Sequence, residues 1–277
     1  MSGLERAELR RRFAEEARSE RPDLSLLCLL VGAAADRTLD EAGMDGAQVD
    51  LDALAGRVPF RPGGPLAWAA ALRELLGERL GFGGSAADYE RLESSLLHRV
   101  LERRRGLPIL LSVVWIEVAR RAGAPVYGVA LPGHFVVGFG PREEQVLVDP
   151  FDGGRVLTGR DAELLVTGTT GSPLEPSMLE PAGTLDVVRR ILRNVRAWAA
   201  VRPERSDVAL WAVELALLLP SHPARLRYER GQLLVQRGEF VQGAEEMEEY
   251  ATLVEVVDEA LAERIRQEAR GARALLN

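Results

Sequence analysis

The sequence has one cysteine, Cys28, in 277 residues. That excludes a disulfide framework and suits a reducing cytoplasm, where we expect the protein to reside. Cys28 lies in the apolar run 23–35 and is expected to be a small core residue. A reactive thiol needs an electropositive, partly exposed setting, and nothing nearby suggests one. Histidine is nearly as scarce, with His98, His134 and His222 the three present. They show no HExxH spacing, so no metal is expected. There is no Walker or dinucleotide fingerprint either, so no cofactor is expected. No stretch reaches ~18 uncharged apolar residues, and no membrane association is predicted. The N-terminal MSGLERAELRRRFAEE has no apolar h-region and does not read as a signal peptide. The chain also lacks the basic excess of a general nucleic-acid binder, since its net charge is −7.

What is present is apolar and patterned. Hydrophobic residues make up 47%, ample for a core, and the length allows one large domain or two small ones. The most informative stretch is 98–158. Pro108 suits the first position of a helix. No Gly or Pro follows until Gly123, a natural C-terminal cap, and Arg120 and Arg121 sit in the last turn, where cations complement the dipole. Between 109 and 119 this helix is apolar on nearly every side, which predicts burial at the centre of a domain. Segments 126–131, 135–139 and 145–148 read as strands. Pro132-Gly133 predicts a tight turn before His134. Asp149-Pro150 ends a strand, and Asp152-Gly153-Gly154 is a turn sequence.

Around this centre the pattern predicts helices at 4–18 and 23–35, a polar, punctuated stretch at 36–66 with a short helix at 48–57, and helices at 66–80 and 88–105. Gly81-Phe82-Gly83-Gly84 reads as a flexible stretch with Phe82 as a buried anchor. His98 is expected to be an exposed or capping helix residue. A short helix at 160–166 precedes a loop rich in Gly, Pro, Ser and Thr. A boundary near 180 divides the chain into 1–180 and 181–277. Beyond it, helices follow at 184–201, 206–219, 223–237, 240–254 and 257–274. The stretch from Arg230 to Phe240 resembles a tetratricopeptide unit: Gly231 permits close helix packing, Gly238 makes the turn, and Phe240 fills the space between helices. One good repeat and one poor one fall short of the three an independent solenoid needs, so this region is expected to pack on the core. The acidic run Glu245-Glu246-Met247-Glu248-Glu249 reads as a solvated helix face.

A buried helix, then a strand bearing His, then a strand ending in Asp is one way to build a catalytic site. In papain-like and transglutaminase-like folds a nucleophilic Cys starts the central helix, where the dipole and a neighbouring His populate its thiolate. An Asp or Asn on the next strand orients the His. The matching residues here are Val100-Leu101-Glu102-Arg103-Arg104-Arg105-Gly106-Leu107-Pro108-Ile109, Val118-Ala119-Arg120-Arg121-Ala122-Gly123, Leu131-Pro132-Gly133-His134-Phe135 and Val148-Asp149-Pro150-Phe151-Asp152-Gly153-Gly154. On these the chain resembles the SirB-type transglutaminase-like proteins, bacterial proteins with a degenerate transglutaminase core and a tetratricopeptide-like tail. The resemblance implies an α+β fold, with a papain/transglutaminase-like core, its central helix against an antiparallel sheet, a helical N-terminal region and an all-α tail.

An active transglutaminase carries Gly-x-Cys at the helix start, and that register here reads Gly106-Leu107-Pro108. Pro108 offers neither a nucleophile nor an N–H, and the resembled family commonly shows the same replacement. Similar proteins often carry Asn at the positions of Ser94 and His98. His134 and Asp149 are thus active-site equivalents, vestigial or functional. Ser112, the only hydroxyl in the first turns of the helix, is an alternative nucleophile, although its Oγ is expected to bond the i−4 carbonyl. Arg103-Arg104-Arg105 is either an anion-binding site or a solvated helix end, with Glu102 or Glu117 as possible ion-pair partners. Two functions follow. One is a non-catalytic interaction or regulatory module with a protein or peptide partner. The other is a hydrolase or acyl transferase using His134 and Asp149 with a displaced nucleophile such as Ser112.

Overall fold

The computed structural model describes residues 3–59 and 63–275. Residues 60–62, inside the stretch expected to be polar and punctuated, lie outside the described residues. Helices α1 (Gly3–Ala17) and α2 (Leu24–Ala35) fall where the pattern places them. Helix α3 (Glu41–Ala55) is longer than the segment 48–57. The Asp40 side chain accepts from Gly43 N at 2.9 Å and starts the helix early. Gly43 and Gly46 hid that start, because interior glycines weaken helical pattern. Helix α4 (Pro65–Leu72) continues as a π-helical stretch, Arg73–Arg79. A Cβ on Gly77 in that stretch would lie 1.9 Å from the Gly153 carbonyl oxygen.

Segment 88–105 is not one helix. Two 3₁₀ turns, Ala86–Glu90 and Leu92–Ser95, precede α5 (Leu97–Arg103), and Arg91 and Leu96 are extended between them. Asp88 causes the interruption. Its buried carboxylate accepts from Ser85 N at 2.9 Å and pairs with Arg105 at 3.0 Å, which holds a turn where the pattern suggests a helix. The glycine stretch before it is packed. Gly83 N donates to Arg104 O and Gly84 N to Phe151 O, and Phe82 is buried as expected.

Helix α6 (Pro108–Arg121) has Pro at its first position, and every residue from Pro108 to Ala119 is buried. It ends at Gly123 (φ 86), with Gly123 N donating to Arg120 O and Ala124 N to Ala119 O. This is a Schellman closure. The sheet follows as β1 (Val126–Val129), β2 (Val136–Phe139), β3 (Val146–Asp149) and β4 (Arg155–Leu157), antiparallel in sequence order. Register pairs Val129 with Val136, Val137 with Val148 and Asp149 with Arg155. Helix α6 packs against β1 and β2 on one side and α2, α3 and α5 on others. Helix α7 (Gly159–Thr170) outruns 160–166, because a Thr158–Asp161 capping box starts it and Gly171 (φ 70) ends it.

Helices α8 (Thr184–Ala200), α9 (Ser206–Leu218), α10 (Arg225–Gln236), α11 (Phe240–Val254) and α12 (Glu259–Ala274) complete the chain. The fold is α+β with a helical C-terminal region. Two compact units are present, one Arg21–Ile191, the other Met1–Glu20 with Leu192–Asn277. In the second, α1 packs on α9, and Arg10 lies 3.5 Å from Glu214. Gly231 and Gly243 let α10 and α11 touch: a Cβ on either would fall within 2.8 Å of the other's carbonyl oxygen. Phe240 is half-buried at the start of α11. The acidic run is not simply a solvated face. Glu246 pairs with Arg230, Glu248 with Arg273 and Glu249 with Arg227, so α11 is tied to both neighbours.

His98 is buried, contrary to its exposed reading. Its Nε2 donates to Asp36 Oδ2 at 3.1 Å, across from α2. Its Nδ1 has no partner and faces Gly32, where a Cβ would lie 2.7 Å away. Burial lowers the His98 pKa, and the Asp36 carboxylate only partly offsets it. Arg99 and Glu102 are the other charges facing the ring. A histidine whose folded pKa lies below its unfolded value of about 6.5 destabilises the fold as pH falls through that value. Urea unfolding at pH 7.5 and 5.5 should therefore show a loss of stability that His98→Gln diminishes. An identical pH slope in the variant would refute this. Gly77→Ala should cost about 1–3 kcal/mol or more, because a backbone carbonyl occupies the space its methyl needs. An unchanged urea midpoint would refute it.

Candidate functional site

Leu131-Pro132-Gly133-His134 joins β1 to β2. Gly133 has φ 73, and His134 N donates to Leu131 O at 3.2 Å. Proline second and a positive-φ glycine third mark a type II turn. A Cβ on Gly133 would also meet the Thr169 side chain at 2.5 Å. The turn delivers the His134 ring toward the end of β3. There Asp149 Oδ2 accepts from His134 Nε2 at 2.9 Å, and Oδ1 accepts from Phe151 N at 2.9 Å. A carboxylate only accepts, so His134 Nε2 carries a proton and donates it to Asp149. Both side chains are largely buried, at 13% and 7% exposure.

Phe151 lies edge-on to His134, with ring centroids 6.2 Å apart, and edge-on to Tyr89 at 6.0 Å. Its ring fills the place a Cβ on Gly84 would occupy. Burial, reinforced by the Asp149 charge, raises the Tyr89 pKa. Arg190 on α8 completes the group. Its guanidinium donates to Leu131 O at 2.9 Å and to His134 O at 2.7 Å, and it lies 5.5 Å over the Phe135 ring. One guanidinium thus grips both ends of the turn. Sequence reasoning missed Arg190 and Tyr89, and named Phe151 only within its motif, with no role of its own. Only a distance map would have found Arg190, which sits in an ordinary amphipathic helix.

The remaining candidates separate. Pro108 is buried at the first position of α6. Ser112 is fully buried and its Oγ donates to Phe135 O at 3.3 Å, a long-range partner in place of the i−4 carbonyl expected. Cys28 is buried in α2, where desolvation pushes its thiol well above the usual range. The three arginines part ways. Arg103 donates to Ser94 Oγ and lies 3.4 Å from Asp88, and Arg105 lies 3.0 Å from Asp88. Their carboxylate is therefore Asp88 and neither Glu102 nor Glu117. Arg104 turns away and donates to Leu80 O at 3.1 Å. His222 bonds Leu219 O at 2.9 Å, far along the chain. Among the described residues no three His, Cys, Asp or Glu side chains converge as a metal site.

The arrangement fixes the orientation of the imidazole through Nε2. Arg190→Met leaves two carbonyls without their charged donor and should cost about 2–3 kcal/mol in urea unfolding. A midpoint within error of the parent would show that the clamp is dispensable.

Known proteins resemble this chain in two parts. A family model described as the transglutaminase-like superfamily matches residues 45–193, and a tetratricopeptide repeat model matches 195–277. A UPF0162 protein of Xylella fastidiosa strain 9a5c is 38% identical over 180 residues, which is 63% of each chain and just under two thirds of that relative's length. Another, from strain Temecula1, is 35% identical over 195 residues, 68% of each chain. F-box only protein 21 of Homo sapiens is 27% identical over 133 residues, 45% of this chain and 20% of that one. The chain belongs to the transglutaminase-like superfamily, within the bacterial SirB-type UPF0162 family, and its C-terminal region is of the tetratricopeptide type.

Proposed function

We propose that this protein is a non-catalytic member of its superfamily, a pseudoenzyme that works in the cytoplasm as a protein-interaction or regulatory module. One observation carries the reading: Pro108 stands at the helix start where a nucleophile would be, and the only hydroxyl in the first turns of that helix, on Ser112, is buried and committed to Phe135 O. The hydrolase reading needs that hydroxyl free. The tetratricopeptide match supports interaction, since paired helices present surfaces for peptides and partner helices. The match to F-box only protein 21 supports a portable module, because the shared stretch is a small part of that longer chain. No helix among the described residues is long and apolar enough to cross a membrane.

The His134–Asp149 pair then serves the scaffold by pinning the turn to the end of β3. Ester, amide and acyl-transfer substrates should give no turnover that His134→Ala abolishes, and serine-directed covalent probes should leave the folded protein unlabelled. Labelling lost in Ser112→Ala would overturn the proposal. Pro108→Cys should create a thiol at a helix start that iodoacetamide alkylates at pH 7 at least about tenfold faster than Cys28. Equal rates would mean that position 108 is not the nucleophile position.

A further inference from the structure

The cavity between α3, the chain after the π-helical stretch and the end of α5 has properties that the interaction reading does not use. Its volume is about 240 Å³. Leu54, Leu80, Phe82 and Leu101 give it apolar walls, and Asp50, Arg57 and Arg104 give it charge. We infer that it binds a carboxylate carried on an apolar group, with Arg104 and Arg57 receiving the carboxylate.

Arg104 is the first reason. It is the only non-glycine residue with positive φ among the described residues, at φ 57 and ψ 23. That left-handed position closes α5, and helix ends of this kind favour glycine. A side chain with a Cβ is strained there, and such strain gathers at ligand sites. The flanking arginines do not share the situation, because both are held by Asp88. The Arg104 guanidinium has one hydrogen bond, to Leu80 O, which leaves donors free at the cavity. Arg57 is exposed, and its guanidinium has no ion pair or hydrogen bond among the described residues.

Charge balance is the second. Two guanidiniums against the Asp50 carboxylate leave one net positive charge, which matches a monoanion and under-neutralises a phosphate dianion. The carboxylate is directed to the arginine side by repulsion from Asp50. Guanidinium binds carboxylate with two parallel hydrogen bonds. The walls take the apolar group. A second cavity of about 410 Å³ borders the first at Asp50 and Leu101.

Two sources carry this chemistry, an aliphatic acid and a peptide C-terminus. Calorimetric titration of the full chain with octanoate, with acetyl-Ala-Ala-Leu and with the amide of that peptide separates them. At least one acid should bind, and the amide should bind at least about tenfold more weakly than its acid. Binding of octanoate alone assigns an aliphatic acid, and binding of the peptide alone assigns a chain terminus. Arg104→Gly should lose affinity about tenfold or more while raising the melting temperature, since glycine adopts φ 57 without strain. Arg57→Ala should weaken binding with the fold intact. Neither acid binding at millimolar concentration, equal binding of acid and amide, or full affinity in Arg104→Gly would overturn the inference. None of these results bears on whether His134 is catalytic or whether the helical region binds partners.

Discussion

A helix without a polar face has to be covered on every side, and that requirement governs the first unit. Residues Pro108 to Ala119 are all buried, and each large aliphatic among them contributes roughly 1.5–3 kcal/mol of burial. The cover comes from α2, α3 and α5 and from β1 and β2. Trp115 is fully buried and meets Phe82 edge to face with centroids 6.0 Å apart. Two of the buried polar groups on α6 find partners, while the Trp115 indole Nε1 has none among the described residues. Ser112 donates to Phe135 O, and Glu117 accepts from Arg120 at 2.8 Å. Burial still raises the Glu117 pKa, against the pull of Arg120 and Arg121.

The candidate site grows from the same packing. The turn that carries His134 is set by Pro132 and Gly133, and the end of β3 is set by Asp149 and Pro150. Asp149 uses both oxygens, one for the imidazole and one for the backbone of Phe151. None of these contacts passes through position 108. That gives a physical reason for His134 and Asp149 to sit together in a chain whose helix starts with proline.

What the sequence revealed was local. Helix α6 announced itself through Pro108, Gly123 and an unbroken apolar run. The His134 turn was legible in Pro-Gly, and the first three strands in their Val, Phe and Tyr content. Strand β4 is too short to show a period, and it exists because Gly153 and Gly154 turn the chain back. The failures share a cause, which is partners distant in sequence. Asp88 looked like a helix residue until Arg105 met it. His98 looked exposed until Asp36 and Gly32 enclosed it. Arg190 gave no signal, since its acceptors are backbone carbonyls that any sequence supplies. The acidic run of α11 read as solvated because its arginines lie on other helices.

The contacts of Gly77 with Gly153 and of Gly84 with Phe151 also fix an order of events. The π-helical stretch and the glycine segment leave the ribosome well before the turn that they enclose. They cannot settle until β3 has been made and its following turn has closed. Long-range closure of this kind is slow and leaves apolar surface uncovered meanwhile. The wall of α6 beneath these segments therefore lacks its full cover until residue 154 has been made.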